Sequence, residues 1–361
     1  MNKKLNQVLS AVLLTAALLA GQTANAQVSG TGTEGDPWVV TTWSDLKTKM
    51  AAGGYIRLDA DVSDPDKTSS SYLEVPSGKT VTLNLNGHTI DRALTAATSN
   101  GYVISVTGTL TMNDSSNPST GSITGGWNSG GYGGCVYLNA NSTFTLNNGT
   151  ITGNKVEKTS GEAKGGALNV GNNAVFNMYG GSITNNAVIT SSKASGGAVW
   201  VNSYDGNYGT FNMYGGSITG NSVSGGSSST GGGVCIDYRS VTGKFNVSGN
   251  VTITGNTANS ATNNVYVPSG AKITIAATLD AATRIGITAA ANQAITSGLK
   301  GKGSLDNFTS DNASSGYVLV LSDNEIKVET TGVAVAAKAA TCTESGISQN
   351  CWLKDDHYYS D

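Results

Sequence analysis

Four carboxylates crowd one short run. Asp59, Asp61, Asp64 and Asp66 lie in LDADVSDPD (58–66), and oxygen-rich clusters of this kind can ligate calcium. The run lacks the twelve-residue loop with its central glycine and closing Glu, so a solvated or capping turn is the preferred reading and calcium the alternative.

A second chemistry is polysaccharide cleavage, which needs two or three carboxylates on one face. Between residues 101 and 260 the acids are Asp114, Glu157, Glu162, Asp205 and Asp237. None recurs at one position of neighbouring units. Glu157, Glu162 and Asp205 are expected in loops, and Asp237 with Arg239 in an exposed pair. The two histidines, His88 and His357, fall in no catalytic pattern. No nucleophile motif or phosphate loop is present, and no catalytic residue, metal site or cofactor is implied.

Of the four cysteines, Cys135 and Cys235 are expected as separate core thiols. Cys342 and Cys351 are close enough in sequence to form a disulfide. With His357 they would alternatively offer three ligands to zinc.

The aromatic residues carry more information. Tyr137 and Trp200 occupy equivalent places in two units, and so do Tyr179 and Tyr214. If they point outward, their rings can stack on sugars; the plainer reading is that they cover loops.

These side chains need a frame, and the frame is repetitive. FNMYGGSITNN (176–186) returns as FNMYGGSITGN (211–221). FTLNNGTITGN (144–154), FNVSGNVTITGN (245–256) and the stretched LTMNDSSNPSTGSITGG (110–126) are further copies. Each full copy follows a Gly-Gly phrase: GGCVYL from Gly133, GGALNV from Gly165, GGAVWV from Gly196 and GGVCID from Gly232. A period in this range signals a solenoid.

Within a unit the apolar period is two, the period of a strand. Val136, Leu168, Val199 and Cys235 share one parity. Phe144, Phe176, Phe211 and Phe245 share the next, and Ile151, Ile183, Ile218 and Ile253 the last. That places Tyr137, Asn169, Trp200 and Ile236 on the outside. Three short strands per unit describe one coil of a right-handed parallel β-helix, with each Phe and each Ile stacked on its equivalent below. The corner position reads Gly153, Asn185, Gly220 and Gly255, the residue types that tolerate positive φ. SSKAS (191–195), the serine-rich run ending at Thr230, and SYDGNYG (203–209) are expected as surface loops.

The same alternation turns paired hydroxyls outward beside each Ile: Ser122/Thr124, Thr150/Thr152, Ser182/Thr184, Ser217/Thr219 and Thr252/Thr254. Such a regular array resembles the face of ice-binding solenoids, although Ser and Thr also simply suit exposed strands.

The ends of the chain differ. Residues 1–26 read as a secretory signal peptide: a basic start, the apolar run Val8–Ala20, and the Ala24-Asn25-Ala26 cleavage pattern. Residues 27–53 form an N-terminal cap with a short amphipathic helix, N-capped by Ser44, burying Trp43, Leu46 and Met50 and stopped by Gly53. Residues 54–275 form the parallel β-helix. Residues 276–335 continue it and close it with a hairpin turning at Asp323-Asn324. Without Lys3 and Lys4, 19 cations face 24 acids, a net charge of −5. The four arginines are scattered, so the clustered basic footprint of a nucleic-acid binder is missing. No later apolar run reaches the ~20 residues that span a bilayer.

From about residue 36 to 330 the chain resembles the adhesin-like right-handed β-helix proteins of bacterial surfaces, which share the pectate-lyase-like architecture. GGAV (196–199), GGAL (165–168) and FTLN (144–147) are similar to the GGA and FxxN tetrapeptides of polymorphic outer membrane proteins, whereas other copies read FNMY. The tail 336–361 resembles a cysteine-containing module of large surface proteins. Because Cys351 is followed by Trp352-Leu353-Lys354 and not by a C-x-x-C pair, it reads as a degenerate or truncated copy. The resemblance implies export, display at the cell surface and adhesion to polysaccharide or surface glycans, without a defined reaction. A polysaccharide lyase or glycoside hydrolase on the same frame is the alternative.

Overall fold

The computed structural model describes residues 28–204, 206–237 and 243–330, and two short strands at Cys351–Lys354 and His357–Ser360. The signal segment, Arg239, Cys342 and most of the tail lie outside the described residues, so the Cys342–Cys351 pairing is not addressed.

The chain winds into a parallel β-solenoid of about seven turns. Three strands line each coil. The first strands pair in parallel from Leu73–Val75 through Ile104–Val106, Val136–Leu138, Leu168–Val170, Val199–Val201 and Val234–Ile236 to Val265–Val267. The second strands put Phe144, Phe176, Phe211 and Phe245 in register, and the third strands do the same for Ile151, Ile183, Ile218 and Ile253. All eight side chains are fully buried, and the Phe rings stack at 5.2, 4.7 and 4.9 Å. Burying one such ring stabilises the fold by roughly 2–3 kcal/mol. The corner residues Gly153, Asn185, Gly220 and Gly255 take φ of 68, 56, 66 and 67°, the left-handed conformation that their types favour.

The strands leave an outer flap that period-two reading does not reveal. After the third strand, Lys155–Lys158, Ala187–Thr190, Ser222–Ser224 and Thr257–Ala258 pair in a separate side sheet. The chain then returns through Ala163–Lys164 and Ala194–Ser195, which pair with each other. A small apolar cluster of Val156, Ala163, Val188, Ala194, Val223 and Ala258 holds the flap together. Glu157, expected in a loop, therefore sits on a strand, where it accepts from Trp127 Nε1 at 2.8 Å. Ala194 and Ser195, also expected in a loop, are strand residues.

The helix Trp43–Ala52 buries Trp43, Leu46 and Met50 and ends at Gly53. Its N-cap is Thr42, not Ser44: the Thr42 hydroxyl accepts from the Asp45 N–H at 3.1 Å, and Ser44, two residues on, already lies inside the helix. At the other end Tyr317–Ser322 and Glu325–Thr330 form an antiparallel hairpin turning at Asp323-Asn324, both with positive φ. Ile326 and Val328 join it to the core.

Candidate functional site: a cleft under the flap

On the outer face of the first strands one row of residues runs along the solenoid axis: Tyr137, Asn169, Trp200, Cys235 and Tyr266, each paired with the next. This corrects the expected register at the fourth Gly-Gly unit. Cys235 lies beside Trp200 in the outer row, whereas Val234 pairs with Val199 in the core and Ile236 with Val201. The cause is a third glycine. Gly231-Gly232-Gly233 lets the phrase start one residue earlier than a Gly-Gly reading suggests, and Gly233 takes the place of Ala198 in the coil below. A shift of one residue turns every side chain to the opposite face.

Trp200 points outward but is not exposed, which corrects a second expectation. Only 5% of it reaches solvent, because the flap folds back over it. Lys164 Nζ sits 4.5 Å from the Trp200 ring centroid, and the Tyr132 ring lies 5.7 Å away. Lys164 is itself buried and holds Glu162 Oε2 at 2.7 Å. Tyr137 is half-buried and stacks on Tyr102 at 5.5 Å.

The row floors a cleft of two lobes that share Trp200. One lobe, about 370 Å³, has no charged residue in its lining; Tyr132, Tyr137, Asn139, Asn169, Asn172 and Asn202 provide rings and amides. The other, about 440 Å³, is lined by Lys164, Lys193, Glu162 and Asp237 together with Cys235 and Tyr266. Asn169 is 4% exposed, and its Oδ1 has no hydrogen-bond partner among the described residues. A buried acceptor left unmatched costs ~1–3 kcal/mol.

Cys135 and Cys235 are free and buried; Cys135 lies in the core as expected, whereas Cys235 sits in the outer row beside Trp200. Burial pushes the Cys235 thiol up to about 11 and the Cys135 thiol up as well. Neither is a thiolate at neutral pH, so neither is an activated nucleophile.

Tyr179 and Tyr214 do not line this cleft. They follow the second strands, where their rings stack on each other at 4.6 Å. Tyr179 is 56% exposed. Each covers one face of the other, the surface a sugar would otherwise use.

The remaining candidates are engaged within the protein. Asp64 is buried, pairs with Arg92, and accepts from Ser71 Oγ and from the backbone of Asp66 and Lys67. Asp61 accepts from the Thr89 N–H, and its Oδ1 lies 3.4 Å from His88 Nδ1. Among the described residues no group of three or more His, Cys, Asp and Glu is placed to hold a metal ion. Burial pushes the Asp114 carboxyl up, but hydrogen bonds from Ser119, Gly121, Ser116 and Gly87 outweigh it and hold the group at about 2. On the hydroxyl face, Ser217 Oγ donates to Ser182 Oγ at 3.2 Å, and Thr89 Oγ1 and Ser122 Oγ lie 3.0 Å apart, so these two pairs bridge neighbouring coils.

One internal device went unread in the sequence. The residue after each corner is a buried Asn: Asn154, Asn186, Asn221 and Asn256. Their side chains form a continuous hydrogen-bonded ladder that passes to Asn264 and ends on Asp311, whose carboxylate accepts from Asn264 N, Asn264 Nδ2 and Thr288 Oγ1. The fixed Asn closing each ITGN or ITNN phrase was its signal.

Fold and cleft together define a parallel β-solenoid with an aromatic, amide-lined trough on one flank. No protein-family model, curated protein or solved structure matches the chain. No helix among the described residues is long and apolar enough to cross a membrane.

Proposed function

We propose that this chain is an exported, adhesin-like surface β-helix that binds glycans without cleaving them. The observation that carries the reading is the uncharged lobe: half-buried Tyr137 and exposed Tyr132 beside a set of amides that includes the unmatched Asn169 Oδ1. Rings cover the apolar faces of sugars while amides meet their hydroxyls, so a site of this composition suits a neutral saccharide. The export pattern at the N-terminus and the resemblance to surface adhesins support display outside the cell. A glycan array probed with the processed chain and with Tyr137→Ala tests it. Binding by the parent and its loss in the variant are expected; an array without signal for the parent refutes the reading.

A second reading, a polysaccharide-cleaving enzyme, draws on one observation. Glu162 and Asp237 line the same lobe, as a pair of catalytic carboxylates would. Against it, Glu162 is held by Lys164. Reducing ends released from an array-positive polysaccharide, and lost on Glu162→Gln, would establish the enzyme.

A further inference from the structure

The cleft has a direction as well as a composition. The outer row runs across the strands, so its members are spaced along the solenoid axis. Aromatic residues stand at every second coil: Tyr137, then Trp200, then Tyr266. With one strand spacing per coil, neighbouring aromatics are ~10 Å apart and the row from Tyr137 to Tyr266 spans ~19 Å. That is long enough for about four sugar rings at roughly one ring per coil. Trp200 borders both lobes, with Lys164 and Tyr132 packed against its ring. Asn169 lies between Tyr137 and Trp200, where its unmatched buried oxygen calls for an N–H or O–H donor. The charges of the second lobe balance, with Lys164 and Lys193 against Glu162 and Asp237, so they select no polyanion.

Resting on the glycan-binding reading, we infer that the two lobes are subsites of one groove for an extended, uncharged polysaccharide lying parallel to the solenoid axis. Tyr137 and Tyr266 mark its ends, and Asn169 is the polar selector between them. The selector accepts either a sugar hydroxyl or the amide N–H of an acetamido sugar, and a site built around such an acceptor discriminates strongly against ligands lacking the donor.

Calorimetric titration of the processed chain with cello- and chito-oligosaccharides of increasing length, beside oligogalacturonates, tests this. Tetrasaccharides should bind about tenfold more tightly than disaccharides of the same series, the gain expected from a second aromatic subsite. Tyr266→Ala should lower tetrasaccharide affinity about tenfold, to the parent's disaccharide level. The parent's length dependence is an independent readout should the variant not fold. Saturable binding that ignores length, or that is confined to the uronates, overturns the groove while leaving a glycan site. No binding of any oligosaccharide, with an array that is also silent, removes both readings.

Discussion

Asn186 donates twice to one oxygen of Asn221: through its side-chain Nδ2 at 3.0 Å and through its backbone N–H, also at 3.0 Å. Asn221 does the same to Asn256, at 2.9 and 3.0 Å. Each rung thus satisfies two buried donors with one acceptor from the next coil. Asn221→Ala removes an acceptor that serves Asn186 and a side-chain donor that serves Ile183 O and Thr219 O. Unmatched buried groups cost ~1–3 kcal/mol each. The variant should lose at least ~2 kcal/mol in urea melts; a loss under ~0.5 kcal/mol would show that the ladder contributes little.

The two aromatic ladders should separate by burial. Phe211→Ala opens a hole between Phe176 and Phe245 and should cost ~3–5 kcal/mol. Tyr179→Ala removes a half-exposed ring from a stacked pair and should cost ~0.5–1.5 kcal/mol. Denaturant melts of both variants check this. Similar losses would mean that solvent exposure does not govern the ladders.

Trp200 should behave as a packed residue. With Lys164 and Tyr132 against it, Trp200→Ala should lower stability by ~3 kcal/mol or more, together with any glycan affinity. A variant with unchanged melting temperature and abolished binding would instead make the ring a pure contact surface.

Acid should act through Asp114. Its folded pKa lies below the unfolded value, so its stabilisation is complete above the unfolded pKa and disappears as pH falls through about 2. Stability should therefore fall by about 2 kcal/mol from this group between roughly pH 4 and pH 2. Asp114→Asn should be less stable at neutral pH and show a shallower decline over that window. Parallel pH–stability curves for the two proteins would assign the acid limb elsewhere.

The coil was legible because its determinants are local and repeated. Phe and Ile recur at fixed positions with a period of two, and the corners recur as Gly or Asn. The Asn ladder was written just as regularly, but Asn beside a corner also suits a turn, and sequence alone does not distinguish the two uses. Trp200 was misjudged for another reason. Strand parity places it outside, but parity says nothing about a flap that returns from an earlier coil's side strand to cover it. Cys235 was turned inward because three successive glycines leave the phrase without a fixed start; only the core demand for Val234 resolves the frame.

The Asn ladder also gives the molecule a grammar of length. Every rung receives on one side and gives on the other in the same way, so any interior coil is an acceptable neighbour for any other. Gly126 N–H opens the series on Asn154, and Asp311 closes it with an oxygen-only terminus that no interior coil supplies. Whole coils are thus insertable units between fixed ends. A gene duplicating one such unit would lengthen the trough by a single step without disturbing either cap.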